Sequence, residues 1–162
     1  MAKHKGKTMN EKRRKIVLAS GTFDLLHLGH VKYLEDAKKA GGEDAKLVVI
    51  VARDKTVERR KGGRPIMPEE HRRALVESLK VVDEAILGYE KFDIGTVIKE
   101  LKPDVIAVGY DQKEIEKQVR KVVTHDILPV RVVRIGKFGR DELNSSIKIK
   151  RKITESYKGQ LR

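Results

Sequence analysis

The chain has 162 residues, with 37 Lys and Arg against 24 Asp and Glu, a net charge of +13 and no cysteine. That length suits one α/β domain with short tails, and the lack of cysteine excludes disulfides, Cys-ligated zinc, iron–sulfur clusters and cysteine nucleophiles. No stretch approaches the roughly 20 apolar residues of a membrane helix, and the polar, basic start contains no secretory core, so the sequence favours a cytoplasmic protein.

The positive charge is concentrated at the two ends of the chain. Residues 1–15 carry +6 and residues 148–162 carry +5, which leaves +2 for the rest. We therefore predict a disordered basic tail at 1–14, one domain at 15–155 and a basic C-terminal tail at 156–162. Because there are only seven aromatic residues to stack on bases, nucleic-acid binding is expected to be weak and non-specific at most.

Short runs rich in Val and Ile alternate with segments of helical periodicity. The runs predict five buried strands, at 15–20, 46–52, 84–87, 104–108 and 130–135. The segments between them predict helices at 30–40, 69–79, 94–101 and 113–123, and a last helix that Asn144 or Ser145 caps. This alternation predicts a Rossmann-like, doubly wound parallel sheet that binds its ligand beside the carboxyl end of the first strand.

The loop after the first predicted strand, residues 21–30, reads GTFDLLHLGH. It is neither a dinucleotide-binding GxGxxG nor a P-loop, but it has the parts for holding phosphates. Gly21 allows a tight turn, and the backbone N–H groups of Thr22 and Phe23 can point at an anion. Gly29 keeps the start of the next helix clear of a side chain, and that helix end adds partial positive charge.

His27 and His30 are three residues apart and share a face if the helix has begun there. Two histidines at this spacing are commonly a metal pair or satisfied polar groups. No third ligand follows at zinc spacing, and this fold binds its ligands at this point, so contact with phosphate is favoured over a metal.

The same ten residues resemble the signature of the HxGH nucleotidyltransferase superfamily, in its cytidylyltransferase-like branch. Similar segments follow in order across residues 15–152: VARD at 51–54, RPIMPEEHRR at 64–73, GYDQ at 109–112 and NSS at 144–146. The whole stretch 51–73 and the GYDQ turn are most similar to the archaeal FAD synthases. Heptose-phosphate adenylyltransferases and glycerol-3-phosphate cytidylyltransferase share the same frame.

The resemblance implies an enzyme that transfers AMP from ATP to FMN, giving FAD and pyrophosphate by in-line attack of the acceptor phosphate on the α-phosphate. It also implies Mg²⁺ bridging the phosphates, and a homodimer. Two alternatives stay open. One is a cytidylyltransferase or sugar-phosphate adenylyltransferase with glycerol 3-phosphate or a heptose phosphate as acceptor. The other is a nucleotide- or nucleic-acid-binding module without activity.

The catalytic residues implied by the resemblance are the two histidines. His27 and His30 would donate to phosphate oxygens, and His30 would also contact the transition state. Lys61 is expected to join them, because it lies in a basic loop after the second strand that can close over a triphosphate. Arg59 and Arg64 of that loop are further candidates for phosphate binding.

Other candidates have two interpretations each. Asp24 is either a local cap or a metal or substrate contact, and Arg72 either binds phosphate or pairs with Glu69. Asp111, which follows Gly109 at a strand end, either accepts from a ribose hydroxyl or forms a turn.

The start of the last helix is the final candidate. Ser145 and Ser146 can cap that helix, whose N-terminus can also hold a triphosphate. Arg140 precedes it and is a further phosphate ligand. No residue is predicted as a resident metal ligand.

Overall fold

The computed structural model describes residues 13–90, 93–139 and 143–159, where strands alternate with helices. The strands are β1 (Ile16–Gly21), β2 (Lys46–Val51), β3 (Glu84–Leu87), β4 (Val105–Gly109) and β5 (Arg131–Ile135). The helices are α1 (Leu28–Gly41), α2 (Asp54–Lys61), α3 (Glu69–Glu77), α4 (Ile94–Leu101), α5 (Lys113–His125) and α6 (Ser146–Ser156). None of these helices is long and apolar enough to cross a membrane.

The five strands form one parallel sheet in the order β3-β2-β1-β4-β5. The chain builds outward from β1 to β3 and then crosses back to place β4 on the other side of β1. The carboxyl ends of β1 and β4 therefore flank the crevice where a doubly wound sheet binds its ligand. The predicted fold class is confirmed.

Apolar layers cover both faces of the sheet, because successive strand residues point to opposite sides. On one face, Val17 packs in a buried cluster with Leu34 of α1 and Val76 of α3. On the other face, Leu18 packs with Val97 of α4 and with residues of α5. Burial on both sides explains why the strands read as continuous aliphatic runs.

Aspartates precede β3 and β4 at the amino edge of the sheet. The Asp83 carboxylate accepts from a backbone N–H of β2 at 2.8 Å, and that of Asp104 accepts from the first N–H of β1 at 2.7 Å. Arg14 pairs with Asp83 at 3.2 Å and Arg13 with Asp104 at 2.8 Å. The predicted tail at 1–14 is corrected here, since Arg13 and Arg14 belong to the sheet edge, while residues 1–12 lie outside the described ones.

Helix α2 corrects the sequence prediction, which placed these residues in a loop. Its eight residues, DKTVERRK, bury only Val57, so there is no apolar period to detect. Gly62 ends the helix in the left-handed region, with φ at 74°. The other predicted elements agree with the structure to within two residues at each end.

Gly41 joins α1 to the sheet at close range, so Gly41→Ala should destabilise the protein. An added Cβ would lie 2.4 Å from Cγ2 of Val17 and 2.7 Å from Cβ of Ala45. We expect overpacking to lower the free energy of unfolding by about 1–3 kcal/mol, measured by urea denaturation.

Gly63→Ala is the matched control, because a Cβ added there would meet none of the described residues within 4 Å beyond its chain neighbours. It should change stability by less than about 0.5 kcal/mol. Equal effects of the two substitutions would contradict the packing argument.

Candidate active site

The loop that joins β1 to α1 leaves the sheet beside the β1/β4 crevice. Phe23 and Leu25 adopt positive φ values of 54° and 50°, which few residues other than glycine tolerate. The Phe23 ring folds back over Gly21, where a Cβ would lie 2.8 Å from Cζ. A glycine is therefore required at position 21 because the Phe23 ring occupies the space of its side chain. Since that ring is buried in the core, Phe23 can contact a nucleotide only through its backbone.

His27 and His30 come together at the start of α1. His27 is the N-cap residue, and its backbone N–H donates to Nδ1 of His30 over 3.4 Å. The two imidazoles are stacked with centroids 3.8 Å apart, and the Phe23 ring meets His30 edge-on at 5.3 Å. Since Nδ1 of His30 accepts, its Nε2 carries the hydrogen and is the donor that the ring can offer a ligand.

Both histidines are neutral at pH 7. Burial lowers the pKa of His30 from 6.5 to about 3. Repulsion from His27 once that ring is protonated and from Lys61 adds to this, and the Asp24 carboxylate opposes it. Burial also lowers the pKa of His27. Both ring nitrogens of His27 are buried with no hydrogen-bond partner among the described residues, so this ring has unused capacity for a ligand.

Asp24 has a structural role in this loop. Its carboxylate is 4% exposed and accepts at 3.0 Å from both the Ile66 and Met67 N–H groups, while Nζ of Lys150 lies 3.0 Å away. Burial alone would raise the pKa of Asp24, but these three contacts outweigh it and lower the pKa. Because its oxygens are already engaged, the expectation that Asp24 contacts the nucleotide is corrected, and the local interpretation holds.

Arg72 is likewise a correction, because its guanidinium is fully buried and cannot reach a phosphate. It donates to the backbone carbonyls of Thr22, Ala52 and Met67 at 2.5, 2.8 and 2.9 Å. Its ion pair is with Asp54 at 2.6 Å rather than with the predicted Glu69, which binds Arg53 instead.

The basic residues of the predicted loop point in different directions from α2. Nζ of Lys61 lies 3.4 Å from the Thr22 hydroxyl, which places this cation beside the β1–α1 loop. Arg59 donates to the carbonyl of Glu90 at 3.1 Å, and Arg64 pairs with Glu58 at 3.1 Å. Of these three cations, only Lys61 contacts the β1–α1 loop among the described residues, and its charge acts on His30.

Gln112, which the sequence did not single out, links the ends of β4 and β1. Its side-chain oxygen accepts from the Gly109 N–H at 2.7 Å, and its amide nitrogen donates to the Ser20 carbonyl at 3.0 Å. The hydroxyl of Tyr33 lies 3.3 Å from the same carbonyl. A Gln four residues after a predicted strand end was the available signal. Asp111 beside it is exposed and accepts no hydrogen bond within the described residues, so its predicted ribose contact stays open.

The start of α6 packs against the same loop. Ser145 caps the helix by accepting from Lys148 N–H at 3.3 Å, as predicted, and the Ser146 hydroxyl donates to the Asp24 carbonyl. A Cβ at Gly29 would lie 2.9 Å from the Asn144 carbonyl oxygen, so this glycine also makes room for the segment that leads into α6. Arg140 lies outside the described residues.

Two helix N-termini therefore meet at this loop. Neither α1 nor α6 has an acidic residue in its first turn, whereas α2, α3 and α5 do and α4 is capped by the Asp93 carboxylate. The partial positive charges of α1 and α6 are thus not neutralised within their own first turns, which suits an anion.

A doubly wound sheet with this donor-lined loop at its switch point defines a nucleotide-binding α/β protein. The chain belongs to the cytidylyltransferase-like family, whose profile matches residues 18–152, from the third residue of β1 into α6. This match confirms the family resemblance found in the sequence.

The curated relatives of the chain include archaeal proteins named FAD synthase. The one from Methanobrevibacter smithii is 47% identical over 148 residues, covering 91% of this chain and 96% of that protein. The one from Ferroglobus placidus is 53% identical over 135 residues, covering 83% of this chain and 85% of that protein.

Solved structures share the fold. A Thermoplasma volcanium protein described as a lipopolysaccharide core biosynthesis protein is 45% identical, with a TM-score of 0.66 over 78% of this chain and 100% of that one. Pantothenate synthetase from Thermus thermophilus is 18% identical, with a TM-score of 0.52 over 77% of this chain and 56% of that one, and shows the fold alone.

The lowered pKa of His30 predicts how stability depends on pH. An unfolded chain binds this proton near pH 6.5 and the folded chain near pH 3, so the stability from neutral His30 is complete above pH 6.5 and is lost as the pH falls towards 3. Between pH 7.5 and 5.5 we expect His30 to reduce the free energy of unfolding by about 1 kcal/mol.

Urea denaturation of the protein and of His30→Asn at both pH values measures this contribution. On acidification the variant should lose less stability than the parent protein. It should still lose some, because His27 also titrates. His71→Asn is the control against which the slope of His30→Asn is compared, since that exposed side chain makes no hydrogen bond or ion pair with the other described residues. An unchanged slope in His30→Asn would show that His30 is not buried as described.

Proposed function

We propose that this chain transfers the AMP moiety of ATP to the phosphate of FMN, giving FAD and pyrophosphate. The observation that carries the reaction class is the β1–α1 loop, where two neutral histidines and Lys61 meet two helix N-termini without first-turn carboxylates. The acceptor and the base are supported by archaeal relatives named FAD synthase that are 47% and 53% identical over most of the chain.

The reaction needs charge stabilisation more than proton transfer. A phosphate oxygen of FMN is already anionic at pH 7, so it attacks the α-phosphorus without a general base. The new P–O bond forms in line as the bond to the β-phosphate oxygen breaks, and that electron pair leaves with pyrophosphate. Gathering these anions and stabilising the charge on the leaving group are therefore the main tasks of the protein.

The residues at the loop suit those tasks. His30 offers a neutral Nε2–H donor, which can strengthen its bond as charge grows on a phosphate oxygen. His27 offers a second ring whose nitrogens have no partner among the described residues. Lys61 adds a full positive charge from the end of α2, and the starts of α1 and α6 add partial ones.

Mg²⁺ enters the proposed reaction as part of the MgATP substrate. The described residues contain no group of three His, Asp or Glu side chains that could hold a metal. Asp24 is engaged by two backbone amides and Lys150. The triphosphate oxygens would then supply most ligands of the ion, as is common for Mg²⁺. Asp111 would accept a hydrogen bond from a ribose hydroxyl instead of binding the metal.

The proposal includes a cytoplasmic homodimer with at most weak affinity for nucleic acid. Leu75 on the outer side of α3 is 39% exposed and gives that helix an apolar contact for a second copy. The cytoplasm follows from the proposed use of ATP as a substrate.

Pyrophosphate release tests the substrates directly. Purified protein with Mg²⁺ is offered ATP or CTP, paired with FMN, glycerol 3-phosphate or a heptose phosphate, and FAD is followed by chromatography. We expect release with ATP and FMN only. Release with CTP or another acceptor would retain the mechanism and reject the flavin assignment, and nucleotide binding without release would support a binding module instead.

His30→Asn should lower kcat for FAD formation by about 10²–10³-fold, because it removes a donor to charge that develops in the transition state. Circular dichroism at pH 7.5 should still show a folded protein. His125→Asn should retain parent activity. A fall in melting temperature that accounts for the lost activity would assign His30 a structural role only.

A further inference from the structure

The guanidinium of Arg72 is a buried cation with mostly neutral partners. It has one carboxylate, Asp54, and three backbone carbonyls, all from segments that border the crevice: Thr22 after β1, Ala52 after β2 and Met67 before α3. Burying a cation is costly unless every donor is used, and an apolar side chain would fill the space more cheaply. The arrangement therefore indicates a purpose beyond packing.

The bond to Thr22 fixes the orientation of one peptide unit. Nη1 of Arg72 lies 2.5 Å from the Thr22 carbonyl oxygen, and the described residues contain no cis peptide bond. In a trans peptide the carbonyl and the following N–H point in opposite directions, so the Phe23 N–H must point away from Arg72. Arg72 also binds the Ala52 carbonyl at the end of β2, so the Phe23 N–H points away from β2. The crevice lies on the other side of β1, between β1 and β4.

The Phe23 N–H is left unused by the part of the chain that the structure describes. It donates to no acceptor among the described residues, although Phe23 holds an unfavourable φ of 54°. Such a backbone conformation costs on the order of 1–3 kcal/mol in a residue other than glycine and persists only where its surroundings enforce it. Arg72 also places positive charge at the carbonyl end of the same peptide, which polarises the unit and makes its N–H a stronger donor.

We propose that Arg72 is a positioning residue that aims the Phe23 N–H at a phosphate oxygen of the bound nucleotide. Arg72 does not touch the substrate itself. It acts through the Thr22–Phe23 peptide, which donates beside His30, whose ring meets Phe23 edge-on. This inference rests on the proposed nucleotidyl transfer and adds to it the side chain that orients the Phe23 N–H, one of the two backbone donors expected from the sequence.

The direct test is an NMR titration of ¹⁵N-labelled protein with Mg²⁺ and α,β-methylene-ATP, which cannot be cleaved at the reacting bond. On binding, the Phe23 amide proton should move downfield by several tenths of a ppm, as a new hydrogen bond to an anion requires. If binding shifts the amide resonances around His30 but leaves the Phe23 amide resonance unchanged, the proposal is overturned. This measurement needs no variant and no turnover, so it also stands apart from the choice of FMN as acceptor.

Arg72→Lys tests the positioning step, because Lys keeps the charge but cannot span three carbonyls. We expect a loss of about 10–10²-fold in kcat/KM for ATP and a Phe23 shift reduced by more than half, because the Phe23 N–H donates to the nucleotide already in the bound complex. Arg73→Lys is the matched control, since Arg73 is the next residue on α3 and pairs only with Glu70 and Glu77 among the described residues.

A folded Arg72→Lys with parent kcat/KM, or with the full Phe23 shift, would overturn the assignment. If that variant fails to fold, Asp54→Asn takes its place, because it removes the carboxylate that pairs with Arg72, and a full Phe23 shift in it would likewise overturn the assignment. If the unmodified protein shifts Phe23 and the variant reduces that shift, but no FAD forms, the proposed function fails while the positioning role stands.

Discussion

The geometry of the site depends on the carboxylate of Asp24. This single buried group holds two backbone amides before α3 and the ammonium of Lys150, while its own carbonyl accepts from Ser146. It thereby joins three segments that are far apart in the sequence. Helix α6 has no buried residue of its own, so its place beside α1 depends on these polar contacts rather than on apolar packing. A buried carboxylate stabilises such an arrangement only while all its partners are present.

The sheet and the position of the site could be predicted from the sequence because they follow from local patterns. Strands buried on both faces read as aliphatic runs, and their alternation with helices allows few topologies. His27 and His30 were found because their loop follows the first strand of such a sheet. Helix α2 was missed because its exposed, basic sequence has no apolar face. A helix whose stability comes from its ends and its neighbours leaves no periodic signal.

The roles of Asp24, Arg72 and Gln112 could not be predicted, since each depends on partners distant in sequence. Asp24 binds amides 42 and 43 residues away, Arg72 reaches back 50 residues to Thr22, and Gln112 reaches 92 residues to Ser20. From sequence alone, Asp24 and Arg72 look like ligand contacts, because charged side chains near a crevice usually face it, and Gln112 gives no signal of its role. Here they bind backbone, and the groups left facing the crevice are main-chain amides, imidazoles and helix ends. The sequence therefore points to the β1–α1 loop as the site, but it cannot show which of the charged side chains near that loop bind backbone instead of facing the crevice.

The pairing of Arg13 and Arg14 with the aspartates at the amino edge determines where the chain enters the domain. Strand β1 has six residues, at about 3.3 Å each, and separates that entry point from the loop that carries the histidines by about 20 Å. An affinity tag, a surface linker or a fused fluorescent protein ahead of residue 13 would therefore join at the end of the sheet remote from the crevice. An attachment after α6 would follow the helix whose first turn contacts Asp24. For immobilisation or for fusion to a flavin-dependent enzyme, the amino terminus is the better choice.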